Sequence, residues 1–202
     1  MSHVMLDLET LSTRANAAIL IIGAIKFSER EQYDEKLNEE GLSKLNTFYR
    51  RISYDSFSEN KYHVDEKTVS WWEAQDKEIA FEALQSEPRF LLKQALNDFV
   101  KWIGSDKDRV KIWGNGSSFD VTILGEAFAI EGIEPCWNFW NVRDLRTVMD
   151  IGGVKMNDLP QFKKHNAIWD CYRQIIGYQR SIINIKKNLE ADEPMSYKKR
   201  KT

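Results

Sequence analysis

Two cysteines, Cys136 and Cys171, are all that the 202 residues contain, so a fold stapled by several disulfides is excluded. Thiols this far apart in sequence suit a reducing cytoplasm, which is the expected location. Neither sign of charge is in excess: 29 Lys and Arg face 31 Asp and Glu, for a net charge of −2. A basic coat for nucleic acid is therefore absent, and contact with a polyanion must be local or cation-assisted. No apolar run reaches the roughly 18 residues that a membrane-spanning helix needs, so no membrane partner is expected. The longest run, residues 15–27, is broken by Asn16, Gly23 and Lys26. No basic stretch leads into an apolar core near residue 1, so no signal peptide is expected. No linker divides the chain. One domain over residues 1–187 is expected, with a polar, basic, disordered tail over 188–202.

The chain is 42% hydrophobic and 30% charged, the balance of a globular domain. Residues 3–8, 17–27 and 47–52 are rich in bulky apolar side chains and read as strands joined in an antiparallel meander. Residues 65–75 read as a helix with Asp65 as N-cap. Residues 88–103 repeat Phe90, Leu91, Leu92, Ala95, Leu96, Phe99 and Ile103 at helical spacing, with Pro88 suited to the first turn. A fourth strand over 110–113, a helix over 119–130, a fifth strand over 136–139 and a helix over 142–151 follow. A long helix from 165 to 187 completes the order. The sum is an α/β fold, a mixed five-stranded sheet flanked by helices.

Five polar residues stand out: Asp7, Glu9, Asp120, His165 and Asp170. The two-residue period of a strand puts Asp7 and Glu9 on one face. Two carboxylates held there repel each other and lose hydration, a penalty that a cation between them removes. Alone, the pair reads first as a strand end with Glu9 solvated. Asp120 follows a glycine-rich turn and, alone, reads as an acid at a helix N-terminus. His165 and Asp170, five apart, share only a broad side of one helix unless His165 precedes it; alone they read as a surface or capping pair.

Together the pieces are more specific. Asp7-Leu8-Glu9-Thr10, the run Asn115 to Asp120, and His165 to Asp170 resemble, in order and spacing, the three motifs of the DnaQ-like (RNase T-like) exonucleases. The spacing of His165 and Asp170 matches the DEDDh subgroup. Trp71-Trp72 with Gln75, and the run from Phe139 to Thr147, are similar to bacteriophage exonucleases of the T-even exonuclease A type and to the mycobacterial RNA-processing exonuclease group. Ser12 departs from the glycine many relatives carry there. The resemblance implies a ribonuclease-H-like sheet and a metal-dependent 3′-5′ exonuclease. Its substrate would be the 3′ end of single-stranded DNA, RNA or short oligonucleotides, and its products nucleoside 5′-monophosphates. It implies Asp7, Glu9, Asp120 and Asp170 as ligands of two Mg²⁺, with Mn²⁺ able to substitute, and His165 as general base.

For substrate contacts the resemblance places Leu8 and Thr10 under the terminal sugar and base. Trp71 and Trp72 cannot both face one way on a helix, and Trp72 is taken as the stacking ring. Phe119 is read both as packing and as a substrate contact. Arg143 and Arg146, three apart on the expected helix, are candidates for phosphate. A homodimer is compatible with the aromatic surplus and with relatives that dimerise. The competing functions are a non-catalytic nucleic-acid-binding module and a phosphodiesterase of nucleotide second messengers.

Overall fold

The computed structural model describes residues 2–57, 61–104 and 107–191. The chain forms β1 (Ser2–Thr10), β2 (Ile19–Phe27), α1 (Glu39–Ser43), β3 (Thr47–Ile52), α2 (Glu66–Glu73), α3 (Lys77–Leu84) and β4 (Arg89–Phe90). It continues with α4 (Leu92–Ile103), β5 (Val110–Gly114), α5 (Asp120–Ile130), β6 (Val142–Asp144), α6 (Leu145–Ile151) and α7 (Ala167–Ala191). The sheet order is β4-β3-β2-β1-β5-β6. The expected meander is present: β2 runs antiparallel to both β1 and β3. The remaining neighbours pair in parallel.

The pleat of β1 sorts two cores. Val4, Leu6 and Leu8 point into a cluster with Leu96 and Phe99 of α4 and Leu124 and Phe128 of α5. Met5 points the other way, into a cluster with Ile25, Trp113, Leu145 of α6 and Ile175 of α7. This is the alternation of a central strand covered on both faces. The register between β1 and β2 shifts between Glu9 and Thr10, a local irregularity of the kind that re-aims side chains beside active sites.

The chain departs from the sequence expectation at several places, α3 over Lys77–Leu84 being a helix not expected. The sheet has six strands among the described residues, not five. Residues 136–139 form no strand; Asn138 and Asn141 hold that loop through side-chain bonds to Asp108 and to the carbonyls of Lys107 and Asp108. Only Val142–Asp144 is then left free to pair with β5, in a stretch expected to be helical. Residues 89–90 join β3 instead of opening a helix. Ser53 N–H donates to the Phe90 carbonyl, and α4 begins at Leu92, whose N–H is capped by Ser56 Oγ. Finally, α7 begins at Ala167, not 165, and runs past Asn188 to Ala191. Residues 192–202, with the basic run, lie outside the described residues.

Gly23 lets α7 lie close on β2. A Cβ there would sit 2.4 Å from Ala167 Cβ and 2.8 Å from the Ala167 backbone carbon, and backbone cannot swing aside. Gly23→Ala is expected to cost about 1–3 kcal/mol, the range for overpacking a tight core. Denaturant titration checks it, and an unchanged midpoint would refute the close fit.

Candidate active site

On the face of β1 that bears Met5, the next two side chains are Asp7 and Glu9. Asp170 meets them from the first turn of α7. One oxygen from each of the three acids lies within 4.8 Å of the others. Asp120 arrives from the first turn of α5, where its Oδ1 accepts the Leu8 N–H at 3.1 Å. The fourth acid is thus tied to the same strand that carries the first two. Glu9 and Asp120 are 8% and 5% exposed, so these charges are held away from water.

Burial raises all four carboxyls, and repulsion by neighbouring acids adds to it at Asp7 and Glu9. Asp7 is pushed well above the usual carboxylate range, first by burial, then by Asp120, Glu9 and Asp170. Glu9 rises to about 8 by burial and by Asp170 and Asp120. Asp120 rises to about 7 through burial, against the opposing Leu8 N–H bond and the nearby Arg146 charge. Asp170 rises to about 6 through burial, against Arg173 and the backbone N–H groups of Asn166 and His165. An all-oxygen set that repels itself in a dry setting fits a hard divalent cation, which removes both penalties at once.

His165 precedes the helix. It is the one non-glycine residue with positive φ among those described, at 51°, in the turn that Asn166 closes by accepting the Trp169 N–H. That left-handed turn separates His165 from the helical spacing that would set it apart from Asp170. Its ring stands edge-on to Trp71 at 5.1 Å and to Trp72 at 6.0 Å. Burial, then Lys164, lowers its pKa, so the imidazole is neutral near pH 7 and able to accept a proton.

Beside the acids lies a cavity of about 430 Å³, whose lining includes Leu8, Glu9, Thr10, Trp71, Trp72 and Phe119. Its walls are held by two bonds: Trp72 Nε1 donates to the Thr10 carbonyl at 2.9 Å, and Thr10 Oγ1 donates to the Ser12 carbonyl at 2.7 Å. Ser12, in place of the relatives' glycine, bonds His63 through its hydroxyl and stabilises the turn. Both tryptophans line the cavity: Trp72, the ring taken from the sequence as the stacking one, is 2% exposed, whereas Trp71 is 45% exposed.

The two arginines separate. Arg143 lies on β6, not on a helix, and donates to the carbonyls of Trp140 and Val142. Arg146 lies on α6, donates to the Asn115 carbonyl and faces Gly116, next to the Asp120 turn. Asp144 between them holds Ser117 N–H and caps α6 through Thr147. Gln174 escaped sequence reading. It is buried, donates to Asp7 Oδ1 at 2.8 Å, and lies one helical turn after Asp170 on the same face. That four-residue spacing is the signal that could have found it.

Solved nucleases share this arrangement of elements. Cell-death related nuclease 4 (CRN-4) superposes with a TM-score of 0.58 at 17% identity, covering 90% of this chain and 64% of its own. Escherichia coli exonuclease I in complex with a 5cy-dA13 oligonucleotide gives 0.59 at 16% identity, covering 94% and 42%. The nuclease domain of 3′hExo, a DEDDh family member bound to rAMP, gives 0.50 at 12% identity, covering 93% and 92%. The chain thus spans under two thirds of CRN-4 and under half of exonuclease I. No curated protein sequence matches the chain. The fold is that of the ribonuclease-H-like, DnaQ-type exonucleases. A family profile matches residues 2–180, and by it the chain belongs to the 3′-5′ exoribonuclease Rv2179c-like domain family.

Proposed function

We propose that this chain is a 3′-5′ exonuclease that hydrolyses the 3′-terminal phosphodiester bond of single-stranded RNA or DNA, short oligonucleotides included, and releases nucleoside 5′-monophosphates. The observation that carries the reading is the meeting of Asp7, Glu9 and Asp170, with Asp120 tied to the backbone between the first two. These four would hold two Mg²⁺, with Mn²⁺ as substitute. Bound there, the cations would supply charge stabilisation for the attacking and leaving oxygens. His165 is the general base that takes the proton of the attacking water at a ring nitrogen, its neutral form favoured by burial. The cavity lined by Leu8, Thr10, Trp71 and Phe119 receives the terminal nucleoside, with Trp71 stacking on the base and Trp72 anchoring the wall. Arg146 offers its guanidinium to phosphate next to Asp120. Arg143, engaged with backbone carbonyls, is left out of this role. The relatives that hold an oligonucleotide or rAMP support the choice of ligand class.

A complete set of acids argues against a binding module that has lost its chemistry. The test is a 5′-labelled single-stranded 20-mer of RNA and one of DNA, each with Mg²⁺ or with EDTA. A ladder shortening from the 3′ end, abolished by EDTA, is the expected result; intact oligomers in both arms would overturn the reading. His165→Ala is expected to lower kcat by about 10²–10⁴. Mn²⁺ affinity should stay unchanged in the same variant, as calorimetry would show.

A further inference from the structure

We infer that Gln174 is a positioning residue for the acid cluster: a neutral amide clamp that orients Asp7 without neutralising it. This rests on the cation-binding reading above. Three observations carry it. Gln174 lies on α7 beneath β1 and is 2% exposed, so its polar head is not solvated. Its Nε2 donates to Asp7 Oδ1 at 2.8 Å, across 167 residues of sequence. Its Oε1 is buried and has no hydrogen-bond partner among the described residues.

A side chain present only to fill space would not be built this way. Methionine has nearly the same shape and would leave no carbonyl unpaired in a dry core, a change that is neutral or favourable when only packing matters. The amide therefore stays for what its N–H does. Asp7 is the acid on which the other three converge electrostatically. One of its oxygens is pinned by Gln174, which limits rotation of the carboxylate and directs the other toward the cluster. The charge of the donor matters as much as its place. A lysine here would pair with Asp7 and cancel the charge that draws a cation; an amide restrains Asp7 and leaves the full negative charge in place. Outer groups that orient ligands in this way typically change metal affinity by about 10- to 100-fold when removed.

Two variants test the clamp, with Mn²⁺ uptake by calorimetry and melting in EDTA as readouts. Gln174→Met is expected to bind Mn²⁺ about 10- to 100-fold more weakly, with kcat reduced, KM for the oligonucleotide unchanged, and melting in EDTA at or a few degrees below wild type, because Asp7 Oδ1 loses its donor. Gln174→Lys is expected to lose Mn²⁺ uptake while melting higher in EDTA, because its ammonium stands in for the cation. Should Gln174→Met fold poorly, Gln174→Lys alone decides. Mn²⁺ affinity within about twofold of wild type in a folded variant would overturn the clamp. Asp7→Asn separates the two readings: uptake lost there but kept in both Gln174 variants refutes only the clamp, whereas uptake kept in Asp7→Asn refutes the cation site itself.

Discussion

Asp7→Asn is expected to reduce exonuclease turnover by about 10³–10⁵-fold and to raise the melting temperature of the protein in EDTA. The two effects have one cause. Asp7 is the acid that Asp120, Glu9 and Asp170 all act on, and burial adds to their repulsion. Asparagine keeps the shape and can still accept from Gln174, so packing is preserved. Removing the charge relieves the repulsion and stabilises the cation-free fold. The same change deprives the cation pair of a ligand, a loss of several kcal/mol of transition-state stabilisation, where each 1.36 kcal/mol is about tenfold in rate. Single-turnover digestion of a 5′-labelled RNA, with thermal melts in EDTA, measures both. Near-normal turnover would show the ligand assignment to be wrong.

A second large effect is the pH dependence of cation stabilisation. In the unfolded chain carboxyls titrate near 4. In the folded chain Glu9 lies at about 8, Asp120 at about 7, Asp170 at about 6, and Asp7 is raised well above its usual value. The folded state thus binds more protons across that interval, so the stability of the cation-free protein falls as pH rises from about 4 to about 8. A divalent cation binds the deprotonated set and displaces those protons, so its stabilisation grows over the same window. One pKa step corresponds to about 1.4 kcal/mol, and a domain of this size shifts about 2–4 °C per kcal/mol. Saturating Mg²⁺ is expected to raise the melting temperature by roughly 10 °C at pH 8, and by no more than about 3 °C at pH 5. Equal shifts at the two pH values would mean that the acids do not share their protons with the cation.

Local patterning carried much of the architecture. The bulky apolar run of β1, the isoleucines of β2 and the Asp65 cap of α2 were readable because each rests on residues close together along the chain. The expected strand over residues 136–139 failed for a non-local reason. Asn138 and Asn141 bond Asp108 and its neighbours, which moves the pairing segment to Val142–Asp144. The same applies to residues 89–90, where pairing with β3 outweighs the helical periodicity that follows them.

At the site, the identities of Asp7, Glu9, Asp120, His165 and Asp170 were legible from motif order. The meeting of Asp7, Glu9 and Asp170 follows from α7 crossing β1 and β2, which the close contact of Gly23 with Ala167 permits. Two contacts were decided by the tertiary structure. Which tryptophan stays exposed in the cavity wall depends on how α2 sits once Trp72 bonds the Thr10 carbonyl, and that bond joins residues 62 apart. That Gln174 touches Asp7 depends on packing across 167 residues. Periodicity thus marked out most of the elements, and the order of the motifs, through the resemblance they carry, pointed to the candidate acids. Distances between remote side chains, and with them the orientation and charge state of each acid, arise only when the helices close over the sheet, because burial and Coulomb energy depend on separation in space and not on separation along the chain.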